Sequence, residues 1–111
     1  MRLELTGRHV EITPALRRLV ESKLARLERL LNNRAVSAQV VLAEDKIQRV
    51  AEVTLHARGE RFLHSIARDA TFRLSVGAAM DKLAQQARTM KGKFEARRRT
   101  ARAPVRKKRA G

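Results

Sequence analysis

The 111-residue sequence has no cysteine, tryptophan or tyrosine, and its only aromatic side chains apart from histidine are three phenylalanines. Without thiols there is no disulfide framework, no cysteine-ligated zinc ribbon and no thiol nucleophile. With so few rings, a sheet that reads single-stranded RNA by stacking bases is a poor expectation. No apolar run reaches the ~18 residues that a membrane span requires. The opening stretch MRLELTGRHVEIT lacks the apolar centre of an export signal, so the cytosol is the expected compartment. Acidic residues are scarce towards the end of the chain. Residues 82–111 hold 12 basic side chains and one acidic, Glu95, whereas residues 1–81 hold 14 basic and ten acidic.

Catalytic patterns are missing too. His9, His56 and His64 fall on different expected elements, and no HxxxH or HExxH spacing offers a metal two ligands on one helix face. No GxxxxGK or GxGxxG phosphate loop occurs, and Ser22, Ser37, Ser65 and Ser75 have no nucleophile-elbow context. The chain does not read as an enzyme. No metal, cofactor or small-molecule substrate is expected.

Positive charge dominates what is present. The formal net charge is +15, from 26 Lys and Arg against 11 Asp and Glu. Its concentration in the last 30 of the 111 residues is what a polyanion-binding surface needs. The plainer alternative is a solvated helix end with a solubilising tail, but self-repulsion this concentrated is unfavourable without a counter-charge.

Hydrophobic periodicity predicts six elements. RLELT alternates Leu3 and Leu5 with polar neighbours, a short strand. In ITPALRRLVESKLARLERLL the period changes: Leu16, Leu19, Val20, Leu24, Leu27, Leu30 and Leu31 form one helical stripe, with Thr13 as N-cap and Pro14 at the first helical position. Asn32-Asn33-Arg34 ends that helix. A second strand follows with Val36, Ala38, Val40 and Leu42 on one face, and a third with Ala51, Val53, Leu55 and Ala57. Gly59-Glu60 reads as a two-residue hairpin turn leading to a fourth strand, RFLHSIARD. A long final helix opens near Asp69 or Thr71 and runs towards residue 96. The fold class expected is therefore α+β in the order βαβββα, a four-stranded sheet with two helices on one face. Without its first strand, that order is the αβββα of double-stranded RNA-binding domains, which read helix shape and phosphate rather than sequence.

On a wheel of about 100° per residue, Phe72, Val76, Ala79, Met80, Leu83, Ala87, Met90 and Phe94 of the final helix fall together and should cover the sheet. Lys82, Gln86, Lys93 and Arg97 fall on one flank of that stripe, and Arg73, Lys91 and Arg98 on the other. Any one of them could simply lay its stem over apolar surface with its head in water. So many on two flanks, continuing into Arg99, Arg102, Arg106, Lys107, Lys108 and Arg109, favour binding. Leu74 points away from the stripe, and Gly77 weakens the helix by about 1 kcal/mol.

The stretch EITPALRRLVESKLARLER (11–29) resembles the first helix of the ribosome hibernation-promoting factors, also called ribosome-associated inhibitor A. Thr13-Pro14-Ala15, Arg17 and the ending KLARLER, with Lys23, Arg26, Glu28 and Arg29, carry the likeness. AEVTLHARG (51–59) resembles that family's third strand and hairpin, and MDKLAQQ (80–86) its second helix, with Lys82 and Gln86 at matching places. The family opens its second helix with Asp-x-Tyr. Anchored on Lys82, this chain has Thr71 and Arg73 at those places. The resemblance covers residues 1–96, leaving 97–111 as a basic segment expected to be flexible. It implies a short member of that family that binds the small ribosomal subunit and its rRNA in the channel of messenger and transfer RNA, idling ribosomes during starvation without catalysis. The resemblance and the charged flanks of the final helix together give the residues expected to contact RNA: Arg17, Lys23, Arg26, Lys82, Gln86, Arg88, Lys91, Lys93, Arg97 and Arg98. Two rival classes fit the charge alone: a free-standing RNA-binding regulator, and a structural ribosomal or assembly protein.

Overall fold

The computed structural model describes the backbone of residues 1–102 and the side chains of residues 1–89. The elements run β1 (Arg2–Arg8), α1 (Pro14–Leu30), β2 (Ala35–Asp45), β3 (Gln48–Ala57), β4 (Arg61–Asp69) and α2 (Phe72–Arg102), the expected βαβββα order. They build one four-stranded sheet in the order β1-β2-β3-β4. β1 and β2 are parallel, with Leu3 beside Ala38 and Leu5 beside Val40. The β2–β3 and β3–β4 pairs are antiparallel.

Strand alternation separates two faces. Ala38, Val40, Leu42, Ala51, Val53, Leu55, Leu63 and Ala67 turn to the helices and are buried. Against them pack Val20, Leu24 and Leu27 of α1 and Val76, Ala79 and Leu83 of α2, so one core lies between the sheet and both helices. Ser65 is buried in this core, where its hydroxyl donates to the Ala79 carbonyl at 2.8 Å and ties β4 to α2. The opposite face of the sheet carries cross-strand rows such as Glu4–Gln39–Thr54–His64 and Thr6–Val41–Glu52–Ile66, with no helix over it among the described residues.

The helix ends follow their local chemistry. Thr13 caps α1, its Oγ1 accepting the Leu16 N–H at 3.2 Å, and Pro14 supplies a φ already set for the first turn. At the other end Asn32 and Asn33 adopt φ of 54° and 60°. Their N–H groups donate to the carbonyls of Arg29 and Glu28, both at 3.1 Å, a Schellman closure with asparagine where glycine is commoner. Thr71 caps α2 by accepting the Leu74 N–H at 3.2 Å, while Asp69 stays in β4 and accepts the Ala70 N–H at 2.7 Å. The helix therefore starts at Phe72, from the second of the two expected openings.

Three local expectations need correction. Val36 is 43% exposed, because the β2–β3 register shifts between Ala35 and Ser37 and turns Ala35 inward in its place. The β3–β4 connection spans Arg58, Gly59 and Glu60, since Ala57 pairs directly with Arg61. Both Gly59 and Glu60 have positive φ, at 83° and 57°, so a third residue rather than a two-residue Gly-X turn reverses the chain. α2 runs on to Arg102 instead of ending near residue 96. Leu74 is 52% exposed, as the wheel implies. Met90 and Phe94, expected on the buried stripe, lie outside the described side chains.

Candidate nucleic-acid interface

α1 and α2 lie side by side on the sheet, and where their flanks meet they leave a cleft of about 210 Å³. Lys23, Arg26, Leu27 and Leu30 line it from α1, and Met80, Asp81, Ala84 and Arg88 from α2. The spacing explains the arrangement. Leu27 and Met80 point inward and form a buried floor, while the short Ala84 side chain keeps the space between Met80 and Arg88 open. Lys23 is half-buried and Arg26 and Arg88 are exposed, so apolar stems rest near the floor while the charged heads reach water. Among the described residues none of these three cations forms an ion pair, and neither does Asp81. Three cations to one carboxylate leave the cleft with net positive charge available to an outside anion.

The other expected contact residues are placed differently. Arg17 pairs with Glu21 at 3.7 Å, one helical turn on, with both side chains about half exposed. On the α1 wheel it lies about 180° from Arg26, so it does not join the cleft. Lys82 and Gln86 lie on the far flank of α2, against β4. There the Lys82 Nζ donates to the Ile66 carbonyl at 2.7 Å. The Gln86 side-chain amide donates to the His64 carbonyl at 2.7 Å and accepts the His64 N–H at 3.3 Å. Since β4 is an edge strand, its outward backbone groups have no neighbouring strand, and these two side chains take that place. The side chains of Lys91, Lys93, Arg97 and Arg98 lie outside the described residues, although the α2 backbone passes through all four positions.

Two features escaped the sequence reading. The meeting of Lys23 and Arg26 with Arg88 depends on how two helices lie together, which no periodicity within either helix encodes. The capping of β4 did have a signal: a Lys and a Gln four residues apart beside the buried stripe, following a strand at the end of the sheet. Among the described residues no group of His, Asp and Glu is placed to hold a metal ion, and no helix is long and apolar enough to cross a membrane.

Residues 3–95 match the family model described as Sigma 54 modulation protein / S30EA ribosomal protein. The ribosome hibernation promoting factor of Escherichia coli K12 is 36% identical over 95 residues, covering 86% of this chain and 98% of the relative. The factor of the same name from Pseudomonas putida is 31% identical over 93 residues, covering 84% and 89%. Among solved structures, a ribosomal subunit interface protein from Coxiella burnetii superposes with a TM-score of 0.77 at 25% identity, covering 83% of this chain and 99% of that one. The N-terminal domain of Thermus thermophilus Protein Y gives 0.73 at 33% identity, covering 81% and 99%. Fold, element order and sequence agree over most of the length, and the chain belongs to the Sigma 54 modulation protein / S30EA ribosomal protein family, to which it is joined by relatives named ribosome hibernation promoting factor.

Proposed function

We propose that this protein is a cytoplasmic ribosome hibernation factor that binds the small ribosomal subunit in the channel of messenger and transfer RNA and keeps idle ribosomes intact during starvation. The observation that carries this reading is the cleft between α1 and α2, where Lys23, Arg26 and Arg88 converge without ion-pair partners among the described residues. The names of its relatives point the same way. Structured RNA offers closely spaced phosphates, and each one neutralised by Lys or Arg releases condensed counterions, so affinity comes from electrostatics and shape. Inhibition then needs no chemistry, because a rigid domain in the channel excludes the RNAs that use it.

Two sedimentation experiments test this. In gradients from growing and starved cells, the protein should travel with ribosomes mainly after starvation. A structural ribosomal protein would do so in both states, and a free regulator would stay at the top. With purified small subunits, prior loading with messenger and initiator transfer RNA should block uptake of the protein. Undiminished uptake by loaded subunits would place the binding site outside the channel.

A further inference from the structure

The sheet face turned away from the helices carries a stacked aromatic pair. The rings of His56 on β3 and Phe62 on β4 are cross-strand neighbours, with centroids 4.5 Å apart and planes within 9° of parallel. Phe62 is 65% exposed although it is one of only three phenylalanines in the chain. His56 covers one face of the phenyl ring, so the exposed area is the other face and the edge. The hairpin loop adds the exposed Arg58, whereas Arg61 pairs with the core-facing Ala57 and so alternates to the other face of the sheet. The row that ends in the pair runs Arg2–Ser37–His56–Phe62 across the sheet. In the adjoining row Glu4 accepts from the Gln39 amide at 2.9 Å, and one row further on Glu52 is hydrogen-bonded to His64 at 2.9 Å, while the exposed Glu60 shares the hairpin loop with Arg58.

From this we infer that, although the chain has too few rings for a sheet that reads a run of bases, the His56–Phe62 pair is a stacking platform for one unpaired RNA base, on the side of the molecule opposite the cationic cleft. A flat ring already backed by a second ring is held in its binding orientation, so little side-chain freedom is lost when a base stacks on it. Aromatic–base stacking tolerates any base because every base has a π face, and Arg58 in the hairpin loop supplies charge for a flanking phosphate. A protein partner would gain less from this arrangement, since one exposed ring at a sheet edge offers it only a small apolar area. The inference rests on the reading that this chain meets RNA, and it adds a second contact of a different kind, made to a base and not to phosphate.

The chain contains no tryptophan, so Phe62→Trp introduces a single fluorescent reporter at the platform. The probes are single-stranded oligoadenylate and an abasic ribose-phosphate strand of equal length, at raised salt to suppress non-specific phosphate binding. Oligoadenylate should quench the Phe62→Trp emission and the abasic strand should not. Phe62→Leu keeps an apolar side chain but no ring. It should bind oligoadenylate roughly five- to a hundredfold more weakly than the parent, while binding the abasic strand equally. Equal quenching by both strands, or parent-like oligoadenylate binding by Phe62→Leu, overturns the platform. A melting curve for each variant confirms that the fold is retained. Because the probes are naked strands, loss of the ribosome reading leaves this result standing, and ribosome uptake without base-dependent quenching overturns the platform alone.

Discussion

A Cβ built on Gly7 would stand 2.1 Å from the Val10 carbonyl oxygen, with Ile12 carbons at 3.1 and 3.2 Å. Gly7 lies on the core side of β1 beside Leu42, and the chain folds back across it after His9, whose φ is 61°. Glycine is required there by close approach of backbone to backbone. Gly77 is the opposite case: nothing lies within 4 Å of an added Cβ, and the residue sits inside a helix. Gly7→Ala should therefore lose about 1–3 kcal/mol or more, while Gly77→Ala should gain about 0.5–1 kcal/mol by removing freedom from the unfolded chain. Urea titration of both variants measures this, and a Gly7→Ala protein as stable as the parent would mean that the Val10 carbonyl does not sit where the backbone places it. In the sequence the emphasis is reversed. Gly77 stands out by interrupting a helical stripe, whereas Gly7 looks like an ordinary residue at the end of a short strand, because the contact that demands it is made by a loop.

At the scale of elements, the hydrophobic period gave away what local geometry controls. Leucine spacing in α1 and alternation in β3 were legible because each element buries one face, and Thr13, Pro14 and Asn32 marked the limits of α1 by their own backbone preferences. The inward turn of Ala35 was not legible, since a bulge shifts the alternation without changing composition. Nor was the division of labour between the flanks of α2. One flank faces α1 and contributes Arg88 to the cleft, while the other lies on β4 and contributes Lys82 and Gln86 to its edge. Gln86→Ala tests the second flank. It removes both hydrogen bonds to His64, and at about 0.5–1.5 kcal/mol each the loss of stability should be about 1–3 kcal/mol. The backbone amide of His64 should exchange with solvent faster, while those of Leu63 and Ser65, which alternate towards β3, keep their protection. An unchanged His64 exchange rate would show that the edge does not depend on this side chain.

Across the whole molecule, the formal charge of +15 is far more than three cleft residues account for, and much of it lies at and beyond the end of α2. Which cations set ribosome affinity depends on how each is held. Lys23, Arg26 and Arg88 are fixed at one spacing by two helices packed on a common sheet, with their stems near the apolar floor formed by Leu27 and Met80. Groups held in this way lose less freedom on binding than side chains that must be ordered at the same moment, so each contributes more to affinity. Salt dependence separates charge from fixed geometry. With about 5–8 phosphate contacts, the log–log slope of ribosome affinity against salt should be roughly −4 to −7. Replacing Lys23, Arg26 and Arg88 together by alanine should make that slope shallower by about 2–3, since each phosphate contact contributes about 0.7–0.9. Deleting residues 103–111 removes four cations, Arg106, Lys107, Lys108 and Arg109. If fixed geometry governs, the three cleft substitutions should weaken translation inhibition in a cell-free extract more than this deletion does, with each protein titrated at one salt concentration. Should the deletion prove the more damaging of the two, net charge near the end of the chain sets affinity, and the cleft between α1 and α2 serves mainly to orient a molecule already held there.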